Sequence, residues 1–309
     1  MKLIFCGTPR FAVPTLSKLV QAGFSVVLVV TQPDKPRGRG LELSASPVKQ
    51  RAVELGLPLA QPAAIKNNEE FRQQLSAIAP EGIIVVGYGR IIPQWMIDLP
   101  PLGNINLHAS LLPKYRGAAP IQWAIAKGEK VTGVTTMRID AGLDTGDILL
   151  QQELPLNASD TSETIGPRLA DIGAELMIQT LRGMKDGKVQ ARVQDSSRAT
   201  LAPILKKEDG RILFSRTAYE IVDRMRGFRP WPGAFTIFRE RLLNVLTASA
   251  VDRKLPPGEI FVEGDQVLVG CGEDTALALG EVQVDGKKRL SARDFANGYH
   301  LKSGQKIDS

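Results

Sequence analysis

The sequence predicts an α/β fold, a doubly wound and mainly parallel sheet, followed by a small OB-like β-barrel. Three observations predict it. Over roughly the first 150 residues, apolar β-branched runs alternate with amphipathic stretches of helical period. From Gln190 to Lys207 the periodicity fades into Ser, Pro and Lys. Beyond it, about 100 residues carry short strands split by Gly, Pro and Asp. The expected domains are 1–189, a linker at 190–207, and 208–309.

The elements follow in order. KLIFCG is an apolar strand closed by Gly7. AVPTLSKLVQAG reads as a helix ending at Gly23. SVVLVVTQ is a second strand, β-branched enough to be buried on both faces. PVKQRAVELG and NNEEFRQQLSAI are helices, the second with Asn near its start and acids in its first turn. GIIVVG is a third strand and GNINLHAS a fourth. VTGVTTMRI and DILLQQELPL form a strand pair at the sheet edge, and 160–186 is a long amphipathic helix. After the linker, TAYEIVDRMRG is a short helix. AFTIF, RLLNVL, GEIFVEG, QVLVGCG and TALALGEVQV are the strands of the barrel.

Of 309 residues 43% are hydrophobic and 23% charged, the balance of a soluble globular protein. No apolar run approaches the ~20 residues that cross a bilayer, so no membrane association is expected. Cys6 and Cys271 stand far apart and make no disulfide framework, which suits a reducing cytoplasm. With two Cys and two His scattered along the chain, no structural zinc site of the usual spacing is expected. The net charge of +6 is uneven: residues 34–51 carry five Lys/Arg against two acids, and residues 206–241 nine against five. Two basic stretches of this kind suit an anionic partner.

The first turn after a strand, GTPRFAVP, lacks G-x-G-x-x-G, and no phosphate-binding P-loop motif occurs, so the sheet does not announce a dinucleotide or nucleoside triphosphate. Ligands of open α/β sheets still bind at the carboxyl ends of the strands. There the fourth strand carries Asn106 and His108, which at i and i+2 project to one side. An amide and an imidazole side by side can donate to a developing oxyanion and move a proton near neutral pH. DAGLDTGDIL offers Asp140, Asp144 and Asp147 as an acidic third member, and the residues alone leave that choice open.

NLHASLLPKYRGAAPIQWA together with GLDTGDIL resembles the formyltransferases that use 10-formyl-tetrahydrofolate, with their Rossmann-like catalytic domain. FCGTPRFAVPTL, TQPDKPRGRG with SPVK, RPWPGAFT and GKKRLSARDFANG extend the resemblance, from residue 2 to about 298, to the methionyl-tRNA formyltransferases among them. Arg90 and Arg229 depart from the family's pattern. The resemblance implies catalytic Asn106, His108 and Asp144, and a folate-contacting turn of Ser110, Leu111, Leu112 and Pro113. It implies 10-formyl-tetrahydrofolate as formyl donor, no metal, and initiator methionyl-tRNA as acceptor for a cytoplasmic monomer acting in translation initiation. Lys35, Arg37 and Arg39 on a basic loop, with Lys206 and Lys207 on the linker, are the expected tRNA contacts, and the β domain adds backbone contacts. The alternatives are a formyltransferase acting on a sugar amine, a 10-formyl-tetrahydrofolate hydrolase, and an RNA-binding protein without catalysis.

Overall fold

The computed structural model describes residues 1–37 and 42–308. They form two units: Met1–Pro120, Val131–Pro155 and Gly166–Ala202 in the first, Ile121–Lys130, Leu156–Ile165 and Pro203–Ser309 in the second.

The first unit holds strands β1 (Lys2–Gly7), β2 (Ser25–Val30), β3 (Lys35–Arg37), β4 (Glu42–Ser44), β5 (Leu59–Ala60), β6 (Gly82–Val86), β7 (Asn104–His108), β8 (Val131–Arg138) and β9 (Ile148–Pro155). Seven of them form one sheet in the order β5-β2-β1-β6-β7-β8-β9. β5 through β7 in that order run parallel, while β8 and β9, the strand pair expected at the edge, join antiparallel. β1 is apolar because both its faces are covered; Leu3, Ile4, Phe5 and Cys6 are fully buried. The strand order reverses at β1, with β2 on one side and β6 on the other, which opens a crevice at the carboxyl ends.

Helices α1 (Val13–Gln21), α2 (Pro47–Glu54), α3 (Glu69–Ile78) and α4 (Gln94–Ile97) lie between strands, and α5 (Pro120–Ala126) and α6 (Ser162–Lys185) follow. Their starts are written in the sequence. Ser46 caps α2 by accepting from the Lys49 amide, with Pro47 at the first helical position. Asn68 caps α3 ahead of Glu69 and Glu70. Further along, α6 packs on the sheet: a side chain at Gly173 would strike Leu107, and Thr180 shares a hydroxyl bond with Thr136 at 2.8 Å.

The basic stretch expected as a loop holds two paired strands. Lys35 pairs with Ser44, Pro36 with Leu43 and Arg37 with Glu42, so β3 and β4 form a short antiparallel ladder. Residues 190–202, read as the start of a linker, lie against the first unit: Arg192 bridges Ile148 and Leu201 bridges Arg116.

In the second unit, α7 (Ala218–Gly227) opens on a Thr217–Glu220 capping box. Strands β10 (Phe235–Phe238), β11 (Arg241–Asp252), β12 (Ile260–Glu263), β13 (Gln266–Gly270) and β14 (Thr275–Val284) run antiparallel in the order β10-β11-β14-β13-β12, and β15 (Leu290–Ser291) adds to β14. β11 is twice the length read from RLLNVL, because irregular register around Thr247 lets the strand bend and continue through residue 252. Helix α8 (Ala292–Tyr299), capped by Ser291, was not read from the sequence. Phe214, Phe238, Leu243, Val269, Leu277 and Phe295 lie in the core of this unit. The last described residues join its two sheet edges. Ile260 N donates to Gln305 O and Ile307 N to Gly258 O beside β12, while Asp308 N donates to Ile237 O on β10.

Candidate active site

β7 is held on both sides, by β6 and by β8, so the side chains at its carboxyl end are placed by two ladders. Asn106 stands opposite Val85 and Met137, and His108 opposite Thr135. Ile105 and Leu107 fill the core on the other face. Asn104, on the Asn106 face, is buried and donates to Met96 O and Ile97 O, which anchors the start of the strand. Asn106 is half-buried, and its amide makes no hydrogen bond to a described residue. That leaves a donor free for a ligand.

His108 is 6% exposed. Its Nε2 lies 2.9 Å from Tyr115 O. A carbonyl only accepts, so Nε2 carries the hydrogen and the neutral ring keeps its lone pair on Nδ1. Nδ1 faces Asp144 Oδ2 at 3.7 Å, inside ion-pair range and longer than a hydrogen bond. The same oxygen accepts from Gly117 N at 2.8 Å. Tyr115 and Asp144 both have left-handed backbone, with φ of 61° and 53°. Tyr115 N is tied to Thr200 Oγ1 at 2.9 Å.

Three acids stood open in the 140–147 loop. Asp140 accepts from Gly142 N and Thr145 Oγ1, and so shapes the loop. Asp147 is half-buried, and among the described residues no hydrogen bond reaches its carboxylate. Asp144 is the one paired with His108.

The expected folate turn divides in two. Ser110 is fully buried and its hydroxyl donates to Lys114 O. Leu112 is buried against Met137 and Ile148. Leu111 and Pro113 are half-buried, and Leu111 lies over Gly133, where a Cβ would come within 2.5 Å of it. Leu111, Pro113 and backbone are therefore what this turn can offer a ligand.

Of the expected tRNA contacts, Lys35 is exposed and in no ion pair among the described residues. Arg39 and the side chain of Arg37 lie outside the described residues. Two other cations of that stretch are engaged: Lys49 pairs with Asp34 at 2.5 Å, and Arg51 with Glu54 at 2.8 Å. Lys49, then Gln61, hold the Asp34 carboxyl below its usual range. Lys206 and Lys207 are exposed at a 3-10 turn, Lys207–Gly210, of the second unit. Arg229 pairs with Glu163 at 3.0 Å, and Arg90 donates to Ala63 O.

Both cysteines are buried, and burial pushes their thiols up, Cys271 to about 12. Neither is a thiolate at neutral pH, which removes a cysteine nucleophile from the chemistry. Nothing in the residue pattern marks the parts of Tyr115 and Thr200, since one acts through its carbonyl and the other from the supposed linker.

An amide with no partner among the described residues thus shares a strand face with an imidazole whose Nδ1 faces a carboxylate, an arrangement suited to acyl transfer to an amine. The formyl transferase family model matches residues 1–181, and that of the formyl transferase C-terminal domain matches 204–300. The chain belongs to the formyl transferase family. Among its relatives, the methionyl-tRNA formyltransferase of Koribacter versatilis (strain Ellin345) is 65% identical over 99% of this chain and 98% of its own. That of Acidobacterium capsulatum is 58% identical over 97% of each. The formyl transferase fold is also that of the N-formyltransferase from Helicobacter canadensis, solved with folinic acid and dTDP-3-aminofucose. It superposes with a TM-score of 0.67 at 18% identity, over 90% of this chain and 98% of that one.

Proposed function

We propose that this chain transfers the formyl group of 10-formyl-tetrahydrofolate to the α-amino group of methionyl-tRNA, the initiator species, giving N-formylmethionyl-tRNA. The observation that carries the reading is the approach of Asp144 to His108, on the strand face that Asn106 shares, in a chain alike over nearly its whole length to methionyl-tRNA formyltransferases.

The residues act as follows. The Asn106 amide donates to the formyl oxygen as negative charge gathers there; one such donor contributes about 3–4 kcal/mol. His108 Nδ1 takes the proton of the attacking amine, because Tyr115 O holds the other nitrogen in its protonated form. Asp144 faces the imidazolium that results and stabilises it. His108 then returns the proton to the folate nitrogen as its bond to the formyl carbon breaks. Leu111 and Pro113 wall the folate, while Ser110 and Leu112 brace the turn from within. Residues 1–189 carry the reacting groups and 190–202 brace their loops, with 203–207 leading on to the second domain. The antiparallel domain, 208–309, and the cations Lys35, Arg37, Arg39, Lys206 and Lys207 engage tRNA phosphates. We infer that the enzyme works as a cytoplasmic monomer.

The test offers 10-formyl-tetrahydrofolate with charged initiator tRNA, with amino sugars, and with no amine. Formyl is expected on methionyl-tRNA alone. Faster formylation of a sugar amine, or formate release without an acceptor, would replace this reading with one of its two relatives.

A further inference from the structure

Gln194 lies in the stretch read as linker, yet it is 6% exposed. Its Nε2 donates to Asp144 O at 2.9 Å and to Gly146 O at 2.7 Å. Its Oε1 accepts from Arg116 Nε at 3.1 Å and Nη2 at 2.8 Å. The amide is therefore oriented by its partners: two carbonyls require the NH2, and a guanidinium requires the oxygen. Arg116 is 8% exposed, and its side chain meets Gln194 and Ser196, with no carboxylate among the described residues. The charge beneath the loop is held by an amide instead, which leaves Asp144 free of it.

Gln194 grips the main chain on both sides of Thr145. That fixes the direction in which residue 144 leaves the backbone. Asp144 needs this help, because its φ of 53° is a conformation few side-chain-bearing residues adopt. The neighbouring loop is clamped by the same segment: Arg116 N donates to Thr200 O, and Ala119 N to Ala202 O. Residues 194–202 thus hold the loops that present Tyr115 O and Asp144 to the two nitrogens of His108.

We propose that Gln194 is a positioning residue of the formyl transfer, setting the carboxylate of Asp144 against His108 Nδ1 by holding the backbone at 144 and 146. This rests on the reading above, in which His108 and Asp144 act together.

The experiment is single-turnover formylation of methionyl-tRNA at saturating 10-formyl-tetrahydrofolate. Gln194→Ala and Gln194→Glu are each made in the parent and in Asp144→Asn. A shift of an ångström in a catalytic group costs on the order of 100-fold. In the parent background, the rate is expected to fall about 10- to 100-fold, with KM for tRNA within about threefold. In Asp144→Asn, which has already lost the charge, the further fall should be under about threefold. Gln194→Glu keeps the volume and a partner for Arg116, but sets an oxygen against two carbonyls. It should lose rate as Gln194→Ala does, and it carries the test if the alanine variant does not fold. Equal losses in both backgrounds, or parental turnover in Gln194→Glu, would overturn the proposal. Failure of the parent to formylate methionyl-tRNA would strike the functional reading instead.

Discussion

Tyr115 O binds one nitrogen of His108 and so decides what the other can do. Nδ1 is left as the working atom, flanked by Asp144 and within the same strand face as the free amide of Asn106. We expect Asn106→Ala and His108→Ala each to lower kcat by roughly two to three orders of magnitude with little change in KM for tRNA. Steady-state formylation assays check this, and near-parental turnover in either would remove that residue from the mechanism. Asp144→Asn keeps shape and the bond from Gly117 N but loses the charge, so it should be nearly as impaired, while Asp147→Asn stays within a few-fold of the parent. The reverse ranking would mean that the wrong carboxylate has been assigned. At this scale the sequence was legible where side chains act and silent where backbone does. Asn106 and His108 could be paired from alternation alone. The choice among Asp140, Asp144 and Asp147 could not be made from the residues, because left-handed backbone at Tyr115 and Asp144 carries no glycine to mark it. Gln194 gave no signal, being one amide in a polar, aperiodic stretch.

Among elements, the 140–147 loop is tightly built at Gly146. A Cβ at Gly146 would lie 2.0 Å from Arg138 O, a backbone atom that cannot turn aside. Gly146→Ala should therefore displace the loop, costing roughly 1–3 kcal/mol of stability and most of the turnover. A denaturant midpoint and a kcat measured on one preparation test both, and an unchanged kcat would show that the loop accommodates the methyl group without moving Asp144. The regular elements were readable because burial and capping are written locally: β1 and β6 as apolar runs, and α3 from the Asn at its start and the acids of its first turn. Two were not. α8 lacks a long apolar stripe, and the β3–β4 ladder is short and interrupted by Pro36, so its pairing depends on register between strands that sequence does not display.

At the scale of the whole molecule, two units with separate cores must serve one reaction, and the distribution of charge bears on how tRNA reaches it. Lys49 and Arg51 pair with Asp34 and Glu54, whereas Lys35 is in no ion pair among the described residues. Replacing Arg37 and Arg39 with Ala should lower kcat/KM for methionyl-tRNA and leave folate binding alone. It should also flatten the log K against log salt slope by about 0.7–0.9 for each phosphate that is no longer neutralised. A salt series in which the variant matches the parent would assign tRNA capture to the second unit. The segment Gln305–Asp308 matters to the molecule in a different way. It occupies the hydrogen-bonding edges of Phe235–Phe238 and Ile260–Glu263, both of them rich in apolar residues. Bare strands of this kind recruit strands from neighbouring molecules. A chain trimmed at residue 304 should therefore remain folded when dilute and associate as it is concentrated, with scattered light rising with protein concentration while the intact chain stays flat. A short stretch with no part in the chemistry would then be what keeps the enzyme from adhering to its own copies.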